Sequence, residues 1–139
     1  TILLRKEVRR SHVFLRTDLA TDLPRVQGDP VQLQQVLINL VMNAIEAMRT
    51  SPDDRREILI RSAGSPDGVL VQVQDSGPGI EPELTMRIFE PFFTTKAEGI
   101  GMGLSISRSI IESNGGQLSV VSARRGALFQ FTLPVVIND

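Results

Sequence analysis

Three groups of residues in this 139-residue sequence have types and spacings suited to chemistry. The first is a polar row: Gln32, Gln35, Asn39, Asn43 and Glu46 recur at intervals of three and four. At about 100° per residue, that spacing lines all five along one narrow stripe of a helix. A solvated face would also produce such a stripe. Yet Asn is a poor helix former, and Gln, Lys or Glu would suit a merely wet surface better. Two Asn four residues apart, beside Leu40 and Val41, point to a stripe kept for a ligand. An Asn carbonyl is a hard, neutral oxygen suited to Mg²⁺.

The second group is centred on Asp75. It ends an apolar alternation (Val69, Val71, Val73) and runs into Ser76-Gly77-Pro78-Gly79-Ile80. An ordinary turn at a strand end is one reading. The other is a carboxylate on a pocket floor, with glycines that let the backbone approach a flat ligand closely. An ionised Asp only accepts hydrogen bonds, so it selects ligands offering N–H donors. The exocyclic amine of adenine is such a donor. Guanine places a carbonyl oxygen there, and two acceptors would face each other. Sites built this way discriminate strongly, on the order of 10⁴ or more.

The third group is Gly99, Gly101 and Gly103, directly before an apolar periodic run that starts at Leu104. A flexible loop would look similar. No strand leads into the glycines, which excludes a dinucleotide fingerprint, and no Gly-Lys-Ser/Thr follows, which excludes a P-loop. What remains is a glycine-rich helix start, where backbone N–H groups and the helix dipole form an anion site. Lys96, just upstream, is either an exposed loop lysine or a point charge for phosphate.

The elements that must carry these groups are legible. Ser11 to Ala20 alternates imperfectly and reads as a strand. Leu23-Pro24-Arg25-Val26 reads as a short extended piece. Asp29-Pro30 supplies an N-cap and a first-turn proline. From Val31 to Met48 apolar residues follow the helical period. Glu57–Ala63 and Val69–Val73, joined by Ser65-Pro66-Asp67-Gly68, read as a hairpin. A short helix candidate spans Pro82–Ile88. A second clear helix spans Leu104–Glu112. Gly115-Gly116 turns the chain into a closing strand pair, Gln117–Ser122 and Ala127–Pro134, joined by Arg124-Arg125-Gly126. Hairpin-paired strands with helices between them predict two layers: a mixed sheet of about five strands, covered on one face by about three helices.

Composition narrows the function. The length suits one domain, and 41% hydrophobic with 22% charged residues suits a globular chain. With no Cys and one His, disulfides, thiolate sites and multi-histidine metal centres are excluded. Fifteen Lys+Arg against 16 Asp+Glu leave no global basic field for nucleic acid. All six aromatics are Phe, too few for base-stacking platforms. No apolar run is long enough to span a membrane.

In this order, the motifs resemble the catalytic ATP-binding domain of bacterial sensor histidine kinases, within the gyrase/Hsp90/MutL/histidine-kinase superfamily. Leu37–Ala44 is similar to the family's N box, Asp75–Ile80 to its first glycine box, Ile88–Lys96 to its F box and Gly99–Ile106 to its second glycine box. Gly126–Phe131 resembles the last glycine box. The resemblance covers nearly the whole chain. Glu46-Ala47-Met48, Thr94-Thr95-Lys96 and Gly103–Arg108 are similar to the subclass of nitrogen-regulatory and oxygen-sensing kinases.

The resemblance implies an α/β two-layer sandwich with a mobile lid over ATP between the two glycine boxes. It implies that Asn43 holds Mg²⁺, that Asp75 binds the adenine amine, and that Gly77, Gly79 and Ile80 shape the adenine pocket. Lys96, Gly99, Gly101, Gly103 and Leu104 then form the phosphate side. Phe89, Phe92 and Phe93 resemble a lid anchor, a role compatible with being core aromatics. Asn39 and Asn43 are the candidate catalytic pair. In hydrolysing relatives the position of Asn39 is a Glu that activates water. An amide cannot take that proton, which favours offering the γ-phosphoryl group to another nucleophile. Glu46 stands where many relatives have Lys.

The implied activity is protein histidine kinase, with Mg-ATP as phosphoryl donor. The acceptor histidine is expected on a dimerisation domain N-terminal to Thr1, since the chain reads as a fragment of a longer one, residues 1–139 being its catalytic domain. His12, followed by Val13-Phe14-Leu15, reads as a half-buried strand histidine and not as the acceptor. Asn114, where relatives often have His, reads as a turn residue. Expected partners are the acceptor domain and a response regulator, in a cytoplasmic homodimer, with no nucleic acid and no membrane contact by this domain. An ATPase switch and a transfer-inactive nucleotide module are the rival readings.

Overall fold

The computed structural model describes residues 6, 8–10, 12–21, 23, 26, 28–49, 56–66, 68–78, 83, 87–90, 103–122 and 126–135. The helix expected after Asp29 starts there. Asp29 Oδ1 accepts from the backbone N–H of Val31 (2.9 Å) and of Gln32 (3.4 Å), and Pro30 occupies the first turn. This helix, α1 (Pro30–Ala47), buries Val36, Leu40, Val41, Ala44 and Ile45. Helix α2 (Gly103–Ser113) buries Ile111 and a serine, Ser107. It ends where Gly115 takes φ +85° and the Gly116 N–H donates to the carbonyl of Ile111. The left-handed position is therefore Gly115. Asn114 does something else: its Nδ2 donates to the Ile110 carbonyl (2.7 Å) and to Gln32 Oε1 (3.3 Å), while its Oδ1 accepts from the Asp29 N–H (3.3 Å). It fastens the C-terminus of α2 to the N-terminus of α1.

The strands are β1 (Phe14–Leu19), β2 (Glu57–Ser65), β3 (Gly68–Asp75), β4 (Gln117–Ser122) and β5 (Ala127–Pro134). They form one sheet in the order β1-β2-β3-β5-β4. β1 and β2 are parallel, and the other neighbours are antiparallel. A parallel pair needs a crossover, and α1 is that crossover. One sheet face carries Ile58, Ile60, Val73, Leu118, Phe129, Phe131 and Leu133, packed against α1 and Ile111 of α2 in one core. On the other face Gln72 Nε2 donates to Gln130 Oε1 across β3 and β5. The two-layer, mixed-sheet expectation is met. Residues 8–10 are helical as well.

One more detail departs from the sequence reading. His12 is exposed, with φ +57°, in a turn before β1. Its N–H bonds the Arg9 carbonyl. The chain must turn sharply between the helical residues 8–10 and the strand, and His is among the residues that tolerate that conformation. Val13 is the residue that reaches the core. The short helix expected over 82–88 lies mostly outside the described residues; Glu83 forms a tight helical turn and 87–89 a turn.

β1 is an edge strand with most of its side chains exposed. Two exposed ion pairs link it to β2: Arg16 Nη1 to Glu57 Oε1 (3.0 Å) and Arg61 Nε to Asp18 Oδ2 (3.8 Å). Among the described residues, no helix is long and apolar enough to cross a membrane.

Candidate functional site

The polar stripe of α1 lies where α2 begins. Asn39 Oδ1 accepts from Gln35 Nε2 (2.8 Å), and Asn39 Nδ2 points to α2, 3.1 Å from Ser107 Oγ and 3.5 Å from the Gly103 carbonyl. Asn39, Asn43 and Glu46 are all half-buried. Glu46 Oε2 pairs with Arg49 Nε at 3.0 Å. Gly103 opens α2, and among the described residues a Cβ there would meet no atom within 4 Å. Leu104, next along, packs its side chain against the core, so its backbone is what it can offer a ligand.

The other end of α1 meets the end of β3. Ser76 Oγ donates to Met48 Sδ (3.4 Å). A Cβ on Gly77 would lie 3.2 Å from Met48 Cγ, 3.3 Å from the Ala47 carbonyl and 3.1 Å from Asp75 Oδ1. Asp75 itself is 4% exposed. Its Oδ1 accepts from the Gly77 N–H (2.9 Å) and from the Ala127 N–H (3.3 Å). Two bonds on one oxygen fix the carboxylate's orientation. Burial pushes its pKa above the ordinary carboxylate value, and the backbone bonds from Gly77 and Ala127 oppose that shift.

Gly126 closes the back of this corner. It has φ +78°, and a Cβ would sit 1.8 Å from the Asp75 carbonyl. Sequence reasoning placed Gly126 in a motif without a task for it. Its task depends on a contact with a residue far away in the chain, which spacing does not reveal. Ser107 was also missed. It sits between Leu104 and Ile111 at helical spacing, so a hydroxyl in an apolar row was the available signal.

Near the F box, Phe89 is buried against Phe129 in an edge-to-face pair, centroids 6.3 Å apart. The Arg108 guanidinium lies 5.0 Å from its ring centre. Phe89 is thus a core aromatic tied to α2. Gly79, Ile80, Lys96, Gly99 and Gly101, with Phe92, Phe93 and nearly all of the expected lid, lie outside the described residues. Of the expected site, the structure brings Asn39 to Gly103, and Asp75 with Gly77 to the C-terminal end of the same helix.

Known proteins are similar to this chain in sequence and in fold. The model of the family described as histidine kinase-, DNA gyrase B-, and HSP90-like ATPase matches residues 28–137. The sensor protein TdiS of Thauera aromatica is 46% identical over 132 residues, covering 93% of this chain and 24% of its own length. The sensor protein FixL of Bradyrhizobium diazoefficiens is 46% identical over 128 residues, 91% of this chain and 25% of its own length. The chain therefore spans about a quarter of these relatives. The nucleotide-free catalytic domain of histidine kinase ThkA superposes with a TM-score of 0.83 at 40% identity, covering 96% of this chain and 86% of that one. ThkA has also been solved in complex with the response regulator protein TrrA, where the TM-score is 0.80 at 37% identity over 97% of this chain and 38% of that one. Motifs, sheet order and match to an isolated catalytic domain agree: the chain belongs to the histidine kinase-, DNA gyrase B- and HSP90-like ATPase family, as a catalytic domain of the sensor histidine kinase kind.

Proposed function

We propose that this chain binds Mg-ATP along α1 and presents the γ-phosphoryl group to a histidine on a separate dimerisation domain of a longer protein. The observation that carries this reading is the buried Asp75 carboxylate, held by two backbone N–H groups beside the C-terminal end of α1, with the start of α2 beside Asn39 near the middle of the same helix. From Asn39 to Ala47 the helix rises about 12 Å, a length that suits a nucleotide from base to phosphates. Asp75 takes the adenine amine through its second oxygen, and Gly77 keeps that floor flat. Gly103, with Gly99 and Gly101 upstream, offers backbone N–H groups to the phosphates, and Lys96 adds a charge. Gly79, Ile80 and Leu104 complete the walls.

The donor set suits Mg²⁺. Among the described residues no group of three or more His, Cys, Asp or Glu could cage a metal. Mg²⁺ does not need such a cage, since it keeps several waters and takes one or two protein oxygens beside those of phosphate. Asn43, half-buried on the stripe, would hold it. When bound, Mg²⁺ neutralises charge on the phosphate oxygens. This chain's residues position the donor and exclude hydrolysis: Asn39 carries an amide where a general base would be needed.

The acceptor belongs to another domain. His12 is exposed in a turn and lies on no acceptor helix. By this reading residues 1–139 are the catalytic unit of a homodimeric, cytoplasmic phosphotransfer system, acting with a response regulator as ThkA does with TrrA. The test combines calorimetry with a transfer assay. The chain should bind ATP in Mg²⁺, release little phosphate at steady state, and label an added acceptor-histidine domain but not itself. Sustained phosphate release without an acceptor would replace transfer with hydrolysis as the activity.

A further inference from the structure

Ser107 has no accessible surface, and it lies one residue past the second glycine box, Gly99–Ile106. A buried hydroxyl is retained where it is hydrogen-bonded. Its partner is Asn39 Nδ2, at 3.1 Å. The same nitrogen faces the Gly103 carbonyl at 3.5 Å. The Gly103 carbonyl settles which way the Asn39 amide lies: it can only accept, which turns the NH₂ toward α2 and leaves Asn39 Oδ1 to accept from Gln35 Nε2. Gln35, Asn39 and Ser107 therefore form a chain of bonds from the exposed face of α1 to the inside of α2.

The bridge has a mechanical setting. At its far end α2 is already fixed to α1 by Asn114, through Asp29 and Gln32. The two helices run antiparallel, so the N-terminal end of α2 needs its own tie. At that end, a Cβ on Gly103 would meet no atom of the described residues within 4 Å. We infer that Ser107, through Asn39, is a positioning residue that sets the first turn of α2 for the phosphate end of the nucleotide. The inference rests on the ATP reading above and adds a residue and a role to it. It also gives position 39 a second constraint. Gly103 offers a carbonyl oxygen, so the side chain at 39 must bring a donor, and an ionised Glu there would turn an acceptor onto that oxygen.

The test separates the two ends of the nucleotide. Ser107→Ala, Asn39→Leu and the double variant are titrated calorimetrically with Mg-ATP and with adenosine, and melting curves are recorded alongside. Each single change should weaken ATP binding by about tenfold. The double should weaken it no further than the larger single loss, because one bridge is removed once. Adenosine, which lacks phosphates, should bind all three variants within about twofold of the parent. Asn39→Leu cuts the bridge from its half-exposed side, so the test survives poor folding of Ser107→Ala. Unchanged ATP affinity in Ser107→Ala would overturn the inference, as would losses that multiply in the double variant. Equal losses for ATP and adenosine would overturn it too, since they would mean general loosening. A parent chain that binds neither ligand would instead bring down the ATP reading on which the bridge depends.

Discussion

The C-terminal end of α1 and its middle are built differently. At its C-terminal end, Asp75, Gly77 and Gly126 are packed so closely that a Cβ at Gly126 would overlap the Asp75 carbonyl and one at Gly77 would crowd three atoms. Near its middle, where Asn39 meets α2, the contacts are side-chain hydrogen bonds, and a Cβ on Gly103 would meet none of the described residues. One corner is preformed and rigid, and the other is open and held by a polar bridge. In the proposed reading the rigid corner takes the base, which needs a single shape, and the open one takes the phosphates, which must stay accessible for transfer.

The largest effect that would sharpen this contrast is at Gly126. Gly126→Ala should cost about 3 kcal/mol or more in stability, because it combines φ +78° with a backbone overlap. Urea denaturation measures it, and a loss under about 1 kcal/mol would mean the corner is not rigid.

Asp75→Asn comes next. It should weaken ATP binding by about 1.5–3 kcal/mol, the range for a hydrogen bond to a charged group, as read by calorimetry. It should also raise the melting temperature of the nucleotide-free chain at pH 7, because a buried charge is removed. The sign follows from the raised pKa of Asp75. The folded state holds that proton more tightly than the unfolded one, so this contribution to stability is complete below the ordinary carboxylate pKa. It is lost as pH rises through the folded-state value. The parent should show that slope between the two values and Asp75→Asn should lack it. A melting temperature that falls on substitution would contradict the burial argument.

At the open corner, Asn43→Ala should remove the Mg²⁺-dependent part of ATP affinity, about tenfold, and leave adenosine binding alone. Parallel titrations with and without Mg²⁺ decide it; a parent chain indifferent to Mg²⁺ would end that assignment. The smallest effect is expected from Gly103→Ala. With none of the described residues near its Cβ, the change should leave the free chain as stable or up to about 1 kcal/mol more stable, since Ala is the better helix former. It should still weaken ATP binding if phosphate approaches the backbone there. Destabilisation like that at Gly126 would erase the distinction between the two corners.

Sequence and structure agree where the signal is local. Asp29 and Pro30 announce the start of α1 because cap and ring act within one turn. The hairpin of β2 and β3 follows from alternation and a turn between them. Asp75 stood out because it ends a strand and precedes glycines. What was not legible depends on distant partners. Nothing near Phe14 says that β1 pairs in parallel with β2, and nothing near Gly126 says that Asp75 lies behind it. Asn114 looked like a turn residue because only its neighbours were visible. Its real partners, Asp29 and Gln32, are on another helix. His12 was misjudged because Val13 and Leu15 extend an alternation backwards past the point where the backbone turns.

The ion pairs on β1 have a consequence beyond this chain. Exposed pairs of this kind contribute about 0–1 kcal/mol each, so Arg16 and Asp18 do little to hold the fold. They stand on a strand that, among the described residues, has a sheet neighbour on one side only. A bare strand border is a template on which another chain can add itself, and charged side chains along it discourage that growth. Arg16 and Asp18 therefore act against aggregation at a border that also carries an exposed Phe14.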